Sequence, residues 1–156
     1  MTGPARPSAA APRPTLLLAF PSQTVFLSLV RDLTKRMAEA AHFDATTSDG
    51  VALATLEAAT NVLEHAYQGA EGREVELRLD DGMQEFRVEI LDNGARVDAR
   101  SMPRVELERY ALERRTGGLG VHLMGKIMDS VSFRREGRRN VCCLLKRKDD
   151  GAPGRA

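Results

Sequence analysis

The chain has 156 residues, of which 42% are hydrophobic and 29% charged, and its formal net charge is +1. This length fits a single domain with one hydrophobic core, and the near-neutral charge gives no reason to expect a nucleic acid or an anionic membrane as partner. The two cysteines, Cys142 and Cys143, are adjacent, so on a strand they would point to opposite faces rather than form a disulfide. We therefore expect reduced core cysteines and a cytoplasmic protein.

The first half of the chain predicts a strand, two helices and a hairpin. Residues 1–14 are rich in proline and alanine and predict a disordered arm, after which residues 15–20 predict a strand. Helical spacing of apolar residues predicts a first helix over 22–43 and a second over 51–67. Alternating polar and apolar residues then predict two paired strands, over residues 74–80 and 84–91.

The second half begins with a long polar segment. Residues 92–118 are punctuated by glycine and proline and are long for a simple connection, which favours a lid or binding loop with a short helix at 105–112. A helix over 119–128 and a closing hairpin, 130–135 with 140–147, follow. This order predicts an α+β fold, a two-layer sandwich of a mixed or antiparallel sheet with helices on one face. Residues 149–156 predict a disordered tail.

The second predicted helix carries a polar stripe made of Glu57, Asn61 and Glu64, with His65 nearby. Glu57 and Asn61 are four residues apart, so their side chains lie on one face of a helix. A carboxylate and an amide oxygen so placed suit a proton transfer and a Mg²⁺ ion, which prefers hard oxygen ligands. On this helix alone, a solvated polar face is the simpler interpretation.

Asp92, Asn93 and Gly94 directly follow the second strand of the predicted hairpin. A carboxylate at a strand end can accept a hydrogen bond from an exocyclic amine such as adenine N6, whereas guanine has a carbonyl at that position. The alternative interpretation is an ordinary Asp-Asn-Gly turn.

Three glycines, Gly117, Gly118 and Gly120, open the last predicted helix. Glycine lets the backbone N–H groups approach a ligand closely, and a helix N-terminus favours anions. A phosphate group is therefore the ligand that this segment predicts. Arg114 and Arg115 stand just upstream and could add charge-assisted contacts. A loop that needs glycine only to pack the helix explains this segment equally well.

Taken in order, these elements resemble the GHKL (Bergerat-fold, histidine-kinase-like ATPase) superfamily. Within it, "EAATNVLEHAY", "DNG" and "TGGLGVHLMGKIMDSV" are most similar to anti-sigma-factor serine protein kinases of the RsbW/SpoIIAB type. The resemblance covers about residues 16–148 and implies an ATP-binding kinase domain over 15–148. It implies that Glu57 is the general base, Asn61 the Mg²⁺ ligand and Asp92 the residue that reads adenine, followed by Gly94.

The resemblance also implies the cofactors, the partners and the phosphate-binding residues. The cofactors are ATP and Mg²⁺, and the partners are a STAS-domain anti-anti-sigma substrate, a sigma factor or similar regulator, and a second copy in a homodimer. One departure from the family pattern is Arg96, which stands where the first glycine box often has its second glycine. The segment implied to hold the phosphates comprises Arg115, Thr116, Gly117, Gly118, Leu119 and Gly120.

Two other readings compete with the kinase. A non-catalytic ATP-binding module would act by sequestering its partner alone, and the intact Glu57 and Asn61 pair favours the kinase over it. The catalytic domain of a histidine kinase is disfavoured because the chain has no room for a dimerisation helix pair and contains no His-Glu or His-Asp dipeptide. GHKL ATPases of the chaperone or mismatch-repair kind need further domains.

Overall fold

The structure is a computed structural model that describes residues 15–95 and 118–149. Three predictions lie outside these residues: the arm over 1–14, the short helix at 105–112 and the tail beyond residue 149. The same is true of most of the predicted lid.

Five described strands form one antiparallel sheet. They are β1 (Leu16–Pro21), β2 (Glu74–Asp81), β3 (Glu85–Asp92), β4 (Ser130–Glu136) and β5 (Arg139–Arg147). The strand order is β1-β2-β3-β5-β4, and every neighbouring pair is antiparallel. Both predicted hairpins are present, and β5 rather than β4 lies next to β3.

Three helices are described: α1 (Val25–Ala40), α2 (Ala45–Asn61) and α3 (Gly118–Ile127). The prediction that α2 begins at residue 51 is wrong, because Asp44 starts the helix by accepting a hydrogen bond from Thr47 N at 2.8 Å. Gly50 then lies inside α2. No helix in the described ranges is both long and apolar enough to cross a membrane.

The helices cover one face of the sheet, so the fold is the predicted two-layer α+β sandwich. Side chains from α1, α2, α3 and the facing side of the strands join in a single hydrophobic core. On α2 the buried residues include small ones, among them Ala54, Ala58 and Ala59, which let this helix lie close to its neighbours. Gly50 likewise lets α2 lie close to α3, since a Cβ at Gly50 would lie 3.1 Å from Ile127 Cγ2.

The opposite face of the sheet carries a network of ion pairs. Glu89, which is 8% exposed, accepts a hydrogen bond from Arg134 Nη2 at 2.7 Å and lies 3.8 Å from Arg78 Nη1. Glu76 pairs with Arg78 and Arg139 at 2.6 and 2.9 Å. Burial raises the pKa of the Glu76 carboxyl, but hydrogen bonds from these arginines outweigh it and hold the pKa below its usual value. These carboxylates are therefore paired and structural.

The two cysteines are free and buried, which confirms the prediction of core residues without a disulfide. Cys142 belongs to the main core, whereas Cys143 points to the other face of β5. Burial raises the pKa of the Cys142 thiol to about 12 and also raises the pKa of Cys143. Neither thiol is a thiolate near neutral pH, so neither is a candidate nucleophile.

Candidate nucleotide-binding site

Helix α2 presents Glu57 and Asn61 one turn apart on its partly exposed side. The helix is anchored from its other side, where Ala54 and Ala58 are buried in the core. Neither polar side chain makes a hydrogen bond to another described residue, so both carry oxygen atoms available to a ligand. The structure therefore keeps the polar pair that the sequence indicated.

A π-helical turn, Val62–Ala66, follows Asn61 directly. Its wider hydrogen bond runs from Tyr67 N to Val62 O, five residues back, at 3.0 Å. Beyond the turn, Gly69 N donates to Leu63 O at 2.9 Å. Glu64 and His65 are exposed on this turn. Such turns are often found at functional sites. Here the turn ends the helix, and Ala66 lies against the residues that follow β3.

Asp92 is the last residue of β3, and it is only 4% exposed. Its Oδ1 accepts a hydrogen bond from Gly94 N at 2.8 Å, closing a turn, and another from the side-chain amide of Asn140 at 2.9 Å. Oδ2 accepts no hydrogen bond from another described residue. The predicted turn is therefore real, and it leaves one carboxylate oxygen for a further donor.

Gly94 packs directly against the π-helical turn. A Cβ at this position would lie 2.4 Å from Ala66 O and 2.6 Å from Ala66 C. Ala66 O also accepts a hydrogen bond from Ala95 N at 2.9 Å. Glycine is thus required because two backbone segments touch here.

The hydroxyl of Tyr67 ties the same turn to β2. It accepts a hydrogen bond from Asn93 N at 2.9 Å and donates one to Glu74 O. Burial raises the pKa of this phenol, so it remains protonated and able to donate. Tyr67 therefore joins the end of α2, the start of β2 and the turn after Asp92.

Helix α3 places a glycine against the carboxylate of Glu57. Gly120 is buried, and a Cβ there would lie 2.6 Å from Glu57 Oε2. The structure thus brings together Glu57 and Gly120, which are 63 positions apart in the chain. Gly118 is the first residue of α3, and Leu119 follows it within the same helix.

The remaining residues predicted for the phosphates, Arg115, Thr116 and Gly117, lie outside the described residues, as do Arg114 and Arg96. The described part of the site is therefore its α2, β3 and α3 walls.

The chemistry of these side chains suits a purine nucleotide with a divalent cation. Asp92 Oδ2 can accept a hydrogen bond from an amine on a base, and the Asn61 amide oxygen is a hard ligand. Within residues 15–95 and 118–149, no group of three His, Cys, Asp or Glu side chains could hold a metal ion. A cation beside Asn61 would therefore share its remaining ligands with phosphate oxygens and water, as Mg²⁺ commonly does.

A cavity of about 580 Å³ lies beside the turn after β3. It is lined by the connection from Ala66 to Glu74 and by Asn93, Gly94 and Ala95, but not by Glu57, Asn61 or Asp92. The cavity and the candidate nucleotide site therefore share one wall and are separate.

Comparison with known proteins identifies the class. The model of the histidine kinase-like ATPase domain family matches residues 20–146, so the chain belongs to this family. The matched range contains every described wall of the candidate site. The family resemblance seen in the sequence is confirmed.

Among individual proteins, the chain is similar to serine-protein kinases named RsbW. The protein of Listeria innocua is 28% identical over 122 residues, which are 76% of this chain and 78% of that protein. One from Listeria monocytogenes serovar 1/2a is 29% identical over 123 residues with the same coverage. A chain of the crystal structure of the SiaB–SiaC complex from Pseudomonas aeruginosa matches with a TM-score of 0.58, covering 87% of this chain and 90% of that chain. At 14% identity, this last match confirms the fold.

Two residues of the site were missed by sequence analysis, Tyr67 and Asn140. Tyr67 has the helical spacing of an apolar core residue, and nothing local marks its hydroxyl as a ligand of backbone groups. Asn140 follows the turn of the last hairpin, where asparagine is common. Only the pairing of β3 with β5, which sets Asp92 opposite Asn140, gives it a role.

Replacing Tyr67 with phenylalanine should destabilise the protein and weaken nucleotide binding. The change leaves Asn93 N and Glu74 O without their partner, and such a loss costs roughly 1–3 kcal/mol. Urea unfolding would measure the stability, and titration with Mg–ATP would measure the affinity. A variant with unchanged unfolding midpoint and affinity would show that the hydroxyl does not hold the turn.

Proposed function

We propose that the protein is an ATP-dependent serine protein kinase and anti-sigma factor of a partner-switching system. Its substrate is a STAS-domain anti-anti-sigma protein. The observation that carries the proposal is the contact between Glu57 on α2 and Gly120 on α3. Glu57 itself lies one helical turn before Asn61. The 28% identity to a serine-protein kinase supports the same function.

Each wall of the site has a role in this proposal. Asp92 accepts a hydrogen bond from the adenine amine, and Asn61 holds Mg²⁺, which neutralises charge on the phosphate oxygens when it is bound. Glu57 accepts the proton of the substrate serine hydroxyl. The backbone N–H groups of Gly118, Leu119 and Gly120, at the N-terminus of α3, would bind the phosphates. The family resemblance adds Arg115, Thr116 and Gly117 to this role. Catalysis of this kind consists mostly of positioning and charge neutralisation.

The contact at Gly120 supports a short distance between the proposed base and the proposed phosphate site. Because glycine has no side chain, α3 lies against the Glu57 carboxylate instead of pushing it aside. The proposed base therefore sits at the start of the helix that would bind the phosphates. Proton transfer needs the base within hydrogen-bond reach of the hydroxyl that attacks the phosphate, and this packing favours that arrangement.

The proposal also covers the biological unit. One kinase domain spans residues 15–148, and the protein acts in the cytoplasm. It forms a homodimer that binds a sigma factor or a similar regulator. Phosphorylation of the STAS-domain protein switches the partner that the kinase binds.

Phosphoryl transfer tests the proposal directly. The full chain would be incubated with γ-labelled ATP, Mg²⁺ and a STAS-domain protein from the same genome, with a reaction containing EDTA as control. Label that is acid-stable, resides on serine and depends on Mg²⁺ is the expected result. ATP binding without any transfer would contradict the kinase and favour a module that binds ATP and acts by sequestration.

A further inference from the structure

The side-chain amide of Asn140 meets three oxygen atoms at the turn after β3. Its Nδ2 lies 2.9 Å from Asp92 Oδ1, 3.1 Å from Ala95 O and 3.4 Å from Gly94 O. All three partners accept hydrogen bonds, so the nitrogen and not the oxygen of the amide belongs on this side. The Oδ1 atom instead accepts a hydrogen bond from Arg135 Nη1 at 3.1 Å.

Strand pairing puts this amide in place. Asp92 at the end of β3 is the direct register partner of Asn140 on β5, and cross-strand partners have Cβ atoms about 4.5–5.5 Å apart. Two neighbouring strands of a rigid sheet therefore fix both side chains. The contact between Asn140 and Asp92 therefore does not depend on the conformation of the loop after β3.

The amide controls the orientation of the Asp92 carboxylate. Oδ1 receives two N–H donors, from Gly94 and Asn140, and hydrogen bonds to a carboxylate are the stronger kind. With Oδ1 held, rotation about the bond to the carboxyl group is restricted. The direction of Oδ2, to which no other described residue donates a hydrogen bond, is then fixed as well.

We propose that Asn140 is a positioning residue that sets the base preference of the nucleotide site. It holds Asp92 so that Oδ2 meets an amine at position 6 of a purine and repels a carbonyl oxygen at the same position. The inference rests on the proposed function, because it takes Asp92 to read the base. Asn140 itself does not touch the nucleotide.

Base discrimination separates this role from a merely structural one. If Asn140 only supported the loop, its loss would weaken all nucleotides alike. If it orients Asp92, its loss weakens ATP, which makes the amine contact, much more than inosine triphosphate, which carries a carbonyl at position 6. The measured quantity is the ratio of the two dissociation constants.

The test is equilibrium titration of the full chain with Mg–ATP and with Mg–inosine triphosphate. For wild type we expect a clear preference for ATP, and for Asn140→Ala a preference reduced about tenfold, the usual effect of losing one hydrogen bond to a charged group. Arg135→Ala is the matched control, because it removes the contact to Oδ1 of Asn140 and leaves the three contacts of Nδ2. It should keep the wild-type ratio.

Asn140→Ser, which retains a hydroxyl donor, provides a second variant if Asn140→Ala does not fold, and its ratio should lie between the other two. An unchanged ratio in the folded Asn140 variants would overturn the inference and leave the proposed function intact. A wild-type protein that binds neither nucleotide would overturn both. Phosphoryl transfer plays no part in this experiment, so failure of the kinase assay does not affect its outcome.

Discussion

Replacing Glu57 with glutamine is expected to slow serine phosphorylation about 10²–10⁴-fold, the usual contribution of a general base. Glutamine keeps the shape of the side chain but does not accept a proton. Mg–ATP affinity should stay close to that of wild type, because Glu57 is not proposed to contact the base or the metal. Single-turnover transfer and equilibrium titration would measure the two quantities separately.

Gly120→Ala tests the same assignment from the opposite side of the contact. The added Cβ would lie 2.6 Å from Glu57 Oε2, and this carboxylate can move because it ends a flexible side chain. We therefore expect a folded protein with a displaced base, in which transfer slows more than ATP affinity falls. Gly125→Ala is the matched control in the same helix, since a Cβ there meets no atom within 4 Å.

Either variant can contradict the assignment. Wild-type transfer rates in Glu57→Gln would exclude this residue as the base. Equal rates in Gly120→Ala and Gly125→Ala would show that the contact between α2 and α3 does not position it.

Gly94→Ala is expected to have the second large effect, on both stability and nucleotide binding. A Cβ at this position would lie 2.4 Å from Ala66 O, 2.6 Å from Ala66 C and 2.8 Å from Ala66 Cβ. Two of these atoms belong to the backbone of the π-helical turn, so no side-chain rotation relieves the collision. Overpacking of this kind typically costs about 1–3 kcal/mol of unfolding free energy.

The same collision should reduce ATP affinity. Moving Gly94 disturbs its N–H bond to Asp92 Oδ1 and the bond between Ala95 N and Ala66 O. Urea unfolding and Mg–ATP titration of Gly94→Ala would be compared with Gly125→Ala, whose added methyl group has open space. A Gly94→Ala protein as stable and as tightly binding as that control would show that the turn is not held as the structure indicates.

The sequence predicted the fold where local patterns decide it. Strands β2 and β3 alternate polar and apolar residues, and both were predicted within one residue at each end. The start of α2 was missed because Thr46 to Gly50 resembles a cap, while the actual cap is Asp44. The capping contact, in which Thr47 N donates to Asp44 Oδ1, spans only three residues.

In the candidate site, some residues are neighbours in sequence, and others meet only through long-range contacts. Glu57 and Asn61 are neighbours on one helix, and Asp92 with Gly94 forms one turn, so local spacing grouped them, while the family resemblance implied their roles. The contact between Glu57 and Gly120 joins two helices, and the bonds from Tyr67 and Asn140 reach this turn from 26 and 48 residues away in sequence. Such contacts follow from strand pairing and helix packing, which no local pattern contains.

Binding of ATP and inosine triphosphate to wild type and Asp92→Asn tests most directly whether this site holds an adenine nucleotide. In the variant, Oδ1 can still accept from Gly94 and Asn140, while an amide nitrogen replaces Oδ2. We predict that wild type prefers ATP, and that Asp92→Asn loses about 10–100-fold in ATP affinity, the usual effect of losing one hydrogen bond to a charged group. The variant should bind inosine triphosphate relatively better, because an acceptor has become a donor. Equal ATP affinity in the two proteins, or no binding by wild type, would contradict the account.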